Sequence, residues 1–305
     1  MGHNVSTKAM NGASATLAAW LLLTSTAPVA AFDGIRLTLL GRSSPASGGP
    51  STLVEAGVDV FLFDCGAGAL AQLQRARVRL GELTAVFLTS LDAMHTEGCG
   101  ELLGARRAAA LEQPLLLWGP PGTIQAVRDW AGGRIADGPG GIYPYEIGEN
   151  IIYQSADVRV TAIVTDHPAE PHAFGYRVDR ERRAIVLLAG SRYSENVAHN
   201  ARGVQVLANE VAAADPEQAR SAAPPRDAWA DRSSPEDAGR LFGAARPYLA
   251  VYSHVRLLGV SEEDLVRRTR RFYRGPLQIG RDLMVVEVQN EVQIRSTPSD
   301  GPREQ

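Results

Sequence analysis

The 305-residue sequence contains little cysteine, few aromatic residues and no strong excess of either charge. Its two cysteines, Cys65 and Cys99, allow at most one disulfide within the chain, which excludes a disulfide-framework protein. Lys+Arg number 31 and Asp+Glu 34, so the formal net charge of -3 predicts no strong attraction to nucleic-acid phosphates. With 45% hydrophobic, 21% charged and 6% aromatic residues, the composition is typical of a globular protein and excludes collagen and wholly disordered chains.

Long hydrophobic runs are also scarce, and the most pronounced one lies near the N-terminus. A polar start carrying Lys8 precedes the apolar run Ala13–Leu23, and small residues then lead to Val29 and Ala31. These features predict a signal peptide over residues 1–31, cut near Ala31. An uncleaved anchor helix is the alternative, but the run is shorter than the roughly 20 residues that a membrane span needs. The mature protein is therefore expected in the periplasm or outside the cell, where a disulfide can persist.

After residue 31, short apolar runs alternate with helical stretches and Gly/Pro-rich turns. The expected strands fall into two batches, each followed by helices, with no long linker between them. This order predicts two β-sheets packed face to face with helices outside, as one α/β domain over residues 32–296. Residues 212–234, rich in Ala, Pro and Arg, are predicted to form a loop, and residues 297–305 a disordered tail.

Six short motifs follow one another along this domain. They are Leu37–Gly41, Phe63–Gly68, Trp118–Thr123, Asp166-His167, Ala173–Arg177 and Ser233–Gly239. With them the chain resembles the metallo-β-lactamase fold superfamily, and within it the ribonuclease Z and arylsulfatase-like branch of exported hydrolases. The resemblance implies a four-layer αββα sandwich of two mixed β-sheets with helices outside.

The resemblance also implies a site for two zinc ions, in which a His-x-His-x-Asp-His loop supplies several ligands. This chain departs from that pattern at most positions. Ser90 and Asp92 stand at the first two His positions, Met94 at the Asp position, Ser191 at the bridging carboxylate, Asn209 at a His followed by Glu, and Arg232 at a proton-transfer His. These substitutions remove metal donors and proton donors, whereas the motifs of the scaffold remain.

Four donors remain that the fold would bring together: His95, His167, His254 and Asp92. One hypothesis is an eroded, inactive or attenuated hydrolase without a cofactor, whose role is to bind or scaffold an unknown small molecule or protein. The alternative is an active ester or phosphodiester hydrolase that uses these donors for a single zinc ion, with Asp92 as a fourth ligand. Neither hypothesis expects a nucleic-acid partner.

Several residues have two interpretations that the sequence leaves open. The resemblance implies that Asp64 supports the metal-binding loop by contacting the metal ligands and not the metal itself. The alternative is that Asp64 only bonds backbone amides of its own loop. Cys65 and Cys99 flank the same loop, either as a disulfide or as two buried thiols. Arg232 either binds an anion or pairs with a neighbouring carboxylate. The arginine run Arg267–Arg271 is expected to be a solvated helix face, with an RNA contact as the less favoured alternative.

Overall fold

The computed structural model describes residues 32–41, 48–133, 135, 138, 140–167, 172–215, 217 and 233–295. The predicted signal peptide, Arg232 and the predicted C-terminal tail lie outside the described residues. Among the described residues, no helix combines the length and hydropathy that a membrane span requires.

Fifteen strands in the described residues form two mixed sheets. The first sheet has the order β15-β14-β1-β2-β3-β4-β5-β6, and the second has the order β13-β12-β11-β10-β9-β8-β7. The strands are β1 Phe32–Gly41, β2 Ser51–Gly57, β3 Asp59–Phe63, β4 Ala85–Phe87, β5 Leu115–Gly119, β6 Ile142–Glu146, β7 Asn150–Gln154, β8 Val158–Val164, β9 Phe174–Arg180, β10 Arg183–Leu188, β11 Val206–Ala214, β12 Leu249–Leu258, β13 Leu277–Ile279, β14 Val285–Val288 and β15 Val292–Arg295.

The described residues form seven α-helices, and all except the short α2 pack on the outer faces of the sheets. They are α1 Ala69–Arg75, α2 Ala93–Thr96, α3 Cys99–Ala108, α4 Thr123–Trp130, α5 Glu195–Asn200, α6 Pro235–Ala245 and α7 Glu262–Thr269, with a 3-10 turn at Leu80–Glu82. Ser194, Ser234 and Ser261 cap α5, α6 and α7 by accepting a hydrogen bond from a backbone amide in the first turn.

Three hydrophobic clusters establish the layer order. The central cluster lies between the sheets and includes Phe61 and Phe87 from one sheet and Tyr176 from the other. A second cluster packs α1, α3 and α4 on the first sheet, and a third packs α5, α6 and α7 on the second sheet. The structure therefore confirms the predicted αββα sandwich.

Several boundaries differ from the sequence-based expectation. The loop predicted over residues 212–234 is wrong at its start, because β11 continues to Ala214 and pairs with β12 as far as Leu258. The sequence predicts a final strand over Leu283–Val288, whereas the structure adds a further strand, β15, which pairs with β14. Strands β6 and β7 are not predicted from the sequence, because Pro144 interrupts β6 and the apolar residues of β7 are consecutive, so neither shows a clear alternation.

Candidate functional site

The site begins where the parallel strands β3 and β4 end side by side. Asp64 follows β3 in the left-handed region, with φ 58°, which aspartate tolerates better than most residues. Its carboxylate accepts hydrogen bonds from the backbone N–H of Thr89 at 2.8 Å and from the Thr89 hydroxyl at 2.8 and 2.9 Å. The Asp64 carboxylate thus binds Thr89, two residues beyond the end of the neighbouring strand β4.

Gly66 allows the loop after Asp64 to pack against the segment that contains Met94. A Cβ atom on Gly66 would lie 2.6 Å from the backbone carbon of Gly49 and 2.7 Å from the Met94 carbonyl oxygen. Such distances are far below van der Waals contact, so a side chain at this position would force the two segments apart. The glycine of the Asp-Cys-Gly motif is therefore a requirement of close backbone packing.

His95 lies on the short helix α2, directly beside this loop. Its carbonyl oxygen accepts a 2.8 Å hydrogen bond from the backbone N–H of Cys65, and its ring nitrogen Nδ1 lies 2.9 Å from Oδ2 of Asp64. Both side chains are buried, with 3% exposure for His95 and 5% for Asp64. The loop and the helix therefore hold the imidazole and the carboxylate in hydrogen-bond contact.

A register irregularity between β11 and β12 supplies the other half of the site. Asn209 pairs with Tyr252 and Val211 with Val255, so Glu210 on β11 faces two residues, Ser253 and His254, on β12. This two-against-one arrangement is a β-bulge, which changes the direction of side chains at that point. Nδ1 of His254 lies 3.4 Å from Oε2 of Glu210, and both side chains are buried.

Glu210 connects the two halves into one cluster of four buried side chains. Its Oε1 atom lies 3.9 Å from Nδ1 of His95, while Oε2 faces His254. Ligand atoms of Asp64, His95 and Glu210 all lie within 4.8 Å of one another. Two carboxylates thus alternate with two imidazoles, and two imidazolium groups would balance their charge. We call these four residues, Asp64, His95, Glu210 and His254, the carboxylate–imidazole cluster.

Burial and the negative charge of Asp64 in this cluster raise the pKa of two neighbouring side chains, Cys99 and Tyr176. Burial raises the pKa of the Cys99 thiol well above its usual value, and contact with Cys65 and the charge of Asp64 add to the effect. Burial and, second, the charge of Asp64 also raise the pKa of Tyr176, whose hydroxyl donates to the Leu88 carbonyl. Both cysteines are buried free thiols in this structure.

The positions at which the chain departs from the zinc-binding pattern are occupied by side chains with other partners. The buried Ser90 hydroxyl accepts from the backbone N–H of Asp92 at 3.2 Å. The buried Ser191 hydroxyl donates to the Arg192 carbonyl at 2.7 Å. Asn209 donates from Nδ2 to the Ser233 hydroxyl at 3.1 Å. Met94 is half-buried and offers only a thioether.

Of the four donors expected from the sequence, His95 and His254 both face Glu210. Asp92, His167 and His254 are not among the three residues whose ligand atoms lie within 4.8 Å of one another. Asp92 is exposed, and its carboxylate accepts from the Met94 amide at 3.4 Å as the N-cap of α2. His167 is half-buried after the end of β8. The remaining described histidines, His172 and His199, are exposed to solvent.

The donors in the cluster are of a kind that can hold a metal ion. Imidazole and carboxylate are suitable zinc ligands, and Asp64, His95 and Glu210 bring one donor atom each within 4.8 Å. The 2.9 Å between His95 and Asp64 is a hydrogen-bond distance, shorter than the edge of about 3.3 Å between ligands of a tetrahedral zinc site. Asp64 therefore fits better as the partner of a ligating His95, an arrangement common at metal sites. The serines and methionine at the other positions offer no comparable donors for a second ion.

Sequence analysis missed Glu210 as a site residue. In the sequence, Asn209-Glu210 corresponds to a His followed by Glu, and Glu210 suggests an ion pair with Arg192 rather than a metal ligand. The available signal is the polar pair Asn209-Glu210 inside a strand whose other residues are apolar, because a glutamate buried there needs a charged or hydrogen-bonding partner.

Two mixed sheets between helical layers, with a histidine and carboxylate cluster where β3, β4, β11 and β12 meet, define a metallo-β-lactamase-fold protein. The Beta-lactamase superfamily domain matches residues 60–255, and the chain belongs to that family. Ribonuclease Z of Mycobacterium marinum is 31% identical over 281 residues, which cover 83% of this chain and 99% of that protein. The chain is thus a relative of ribonuclease Z.

Solved structures agree with this fold. The metallo-beta-lactamase fold protein YhfI from Bacillus subtilis has a TM-score of 0.68 and 18% identity, covering 84% of this chain and all of that chain. Human tRNase Z, short form, has a TM-score of 0.63 and 19% identity, covering 83% of this chain and 99% of that chain. At these identities the likeness concerns the fold.

Proposed function

We propose that this protein is a relative of ribonuclease Z whose two-zinc site has been reduced, and which binds a ligand or partner protein instead of hydrolysing a substrate at the rate of an intact enzyme. The observation that carries the proposal is that each buried carboxylate of the cluster faces an imidazole: Asp64 faces His95, and Glu210 faces His254. A buried carboxylate without a partner is costly, and in this site imidazoles meet that need.

The replaced ligand positions support the same proposal. Hydrolysis in a two-metal site depends on both ions, which hold the attacking and leaving oxygens. Ser90 and Ser191, at positions of a His and of the bridging carboxylate, use their hydroxyls in hydrogen bonds to the neighbouring backbone. A second ion would have to displace those bonds and would gain weak ligands in return.

A second candidate function is hydrolysis with one metal ion. It is favoured by the buried donors Glu210, His95 and His254, with Asp64 orienting His95. Donor atoms of Asp64, His95 and Glu210 already lie within 4.8 Å of one another. A bound ion would supply Lewis acidity and an activated water for an ester or phosphodiester substrate.

Metal content distinguishes the two candidates. The purified full chain is incubated with zinc, desalted and measured by plasma mass spectrometry, with turnover of bis-p-nitrophenyl phosphate and p-nitrophenyl acetate measured on the same sample. We expect well under one zinc per chain and no turnover above that of the His95→Ala variant. The exposed His199→Ala variant is the matched control for loss of an imidazole.

The other outcomes have definite meanings. One zinc per chain with turnover, both lost in His95→Ala and retained in His199→Ala, would establish the single-ion hydrolase and overturn the binding role. Two zinc ions per chain with turnover would overturn the reduction of the site itself.

Export is a separate part of the proposal, and the predicted signal peptide over residues 1–31 supports it. Expression of the full chain in a Gram-negative host, followed by fractionation and N-terminal sequencing, tests it. We expect periplasmic or secreted protein that begins at Phe32. Uncut protein in the cytosol would contradict export without affecting the argument about the metal site.

A further inference from the structure

A groove with no part in the carboxylate–imidazole cluster lies between the C-terminal end of α6 and the segment that follows α7. Its volume is about 440 Å³. It lies beside Pro247, at the start of β12, whereas His254 lies several residues further along the same strand. At 3.3 Å per residue, the start of β12 is roughly 16 Å from His254. The lining residues are Gly243, Arg246, Pro247, Arg271, Phe272, Tyr273, Arg274 and Gly275.

In the arginine run Arg267–Arg271 at the end of α7, some guanidinium groups bind other parts of the described chain and others do not. Arg267 pairs with Asp264, and Arg268 forms two 2.8 Å hydrogen bonds to the carboxylate of Glu236. Arg270 donates to the carbonyl oxygen of Gly275. The run is therefore not a uniform solvated face, because most of its guanidinium groups hold local structure and Arg271 lines the groove.

Arg271 is joined at the groove by Arg246 and Arg274, and all three are exposed. Within the part of the chain that the structure describes, none of the three forms an ion pair, and no carboxylate lines the groove. Arg271 also feels the charge of Glu236 on its other side, whereas Arg246 and Arg274 face the groove alone. Three exposed guanidinium groups in one concave surface favour an anionic ligand, because guanidinium groups bind phosphate oxygens with paired hydrogen bonds.

An aromatic ring lies among these charges. Phe272 is 41% exposed and lines the groove. The guanidinium carbon of Arg240 lies 4.6 Å from the centre of its ring, so a cation covers one face while the ring remains partly open to solvent. An exposed aromatic ring of this kind stacks readily against a planar base.

From the three arginines, the exposed ring and the groove volume, we propose that this groove binds a nucleoside phosphate. The phosphate groups contact Arg246, Arg271 and Arg274, and the base stacks on Phe272. A volume of about 440 Å³ suits a ligand of small-molecule size. The site is independent of the proposed function, since it shares no residue with the carboxylate–imidazole cluster.

Isothermal titration of the full chain with ADP, pyrophosphate and adenosine tests this site. We expect ADP to bind more tightly than pyrophosphate, and adenosine most weakly. Arg271→Gln and Arg274→Gln should each weaken ADP binding about tenfold, the scale of a lost charge-assisted hydrogen bond. Arg267→Gln removes the same charge from the same helix end outside the groove and should change ADP binding less than twofold.

A second variant separates the base from the phosphates. Phe272→Ala should bring ADP affinity down to that of pyrophosphate and leave pyrophosphate binding unchanged. Equal weakening by Arg267→Gln and Arg271→Gln would show non-specific attraction and overturn the site. Absence of ADP binding at millimolar concentration, or tighter binding of a single-stranded oligonucleotide than of ADP by the same arginines, would also overturn it. Equal melting temperatures verify that each variant is folded.

Discussion

Nδ1 of His95 lies 2.9 Å from Oδ2 of Asp64, and both side chains are buried. The same carboxylate accepts hydrogen bonds from the N–H and hydroxyl of Thr89. Asp64 therefore connects the ends of β3 and β4 to the helix that carries His95. Any ligand or ion at this site depends on that connection, because it fixes the position and the orientation of the imidazole.

Asp64→Ala should destabilise the fold strongly. Removing one partner of a buried pair takes away the nearest acceptor of His95 and the acceptor of the Thr89 amide, which costs about 3–5 kcal/mol. Urea unfolding measures the loss. Asp92→Ala is the control, since this exposed carboxylate caps one short helix and its loss costs about 1 kcal/mol. Equal losses in the two variants would contradict the connecting role of Asp64.

Glu210 and His254 should be energetically coupled. A double-mutant cycle with Glu210→Gln and His254→Gln should give a coupling energy of about 0.5–3 kcal/mol, because the residues are in contact and buried. The matched cycle pairs Glu210→Gln with His199→Gln on the exposed face of α5, where coupling should stay within about 0.5 kcal/mol. Additive effects in the first cycle would mean that the two side chains do not interact.

The ion pair between Glu236 and Arg268 should contribute to acid sensitivity. The hydrogen bonds from Arg268 lower the pKa of Glu236 below its ordinary value, despite an opposing effect of burial. A lowered pKa in the folded state gives stability that is present above the unfolded-state pKa and is lost as pH falls through the folded-state pKa.

Urea unfolding between pH 7 and pH 3 tests this ion pair. As the pH is lowered, the free energy of unfolding of the wild type should decrease more steeply than that of Glu236→Gln, which has no carboxylate to protonate at this position. Parallel curves would show that the pair contributes nothing to pH dependence.

The two cysteines should be unreactive in the folded protein. Cys65 and Cys99 are buried free thiols, and burial together with the contact to Cys65 raises the pKa of Cys99, which reduces its thiolate fraction. Ellman's reagent should therefore react slowly with the native chain and should titrate two thiols in guanidinium chloride without reductant. No free thiols in guanidinium chloride would instead demonstrate a disulfide.

The amino-acid sequence by itself determined the layered α/β fold and part of the site. Alternating apolar runs specify strands because side chains of a strand point to opposite faces, and the motif order identified the sandwich. His95 and His254 were expected at the site by resemblance, and the structure brings them to one cluster through Glu210. The departures at Ser90, Met94 and Ser191 were also visible without coordinates.

Tertiary structure alone decided how the remaining side chains are used. Asp64 meets Thr89 and His95 because β3 and β4 are parallel neighbours, and Glu210 faces His254 because of a bulge between β11 and β12. Asp92, chosen from the sequence as a donor, instead caps a helix. Such contacts join residues far apart in the chain, and they depend on strand order and register. Local sequence patterns report which face a residue occupies, but not which distant residue lies opposite it.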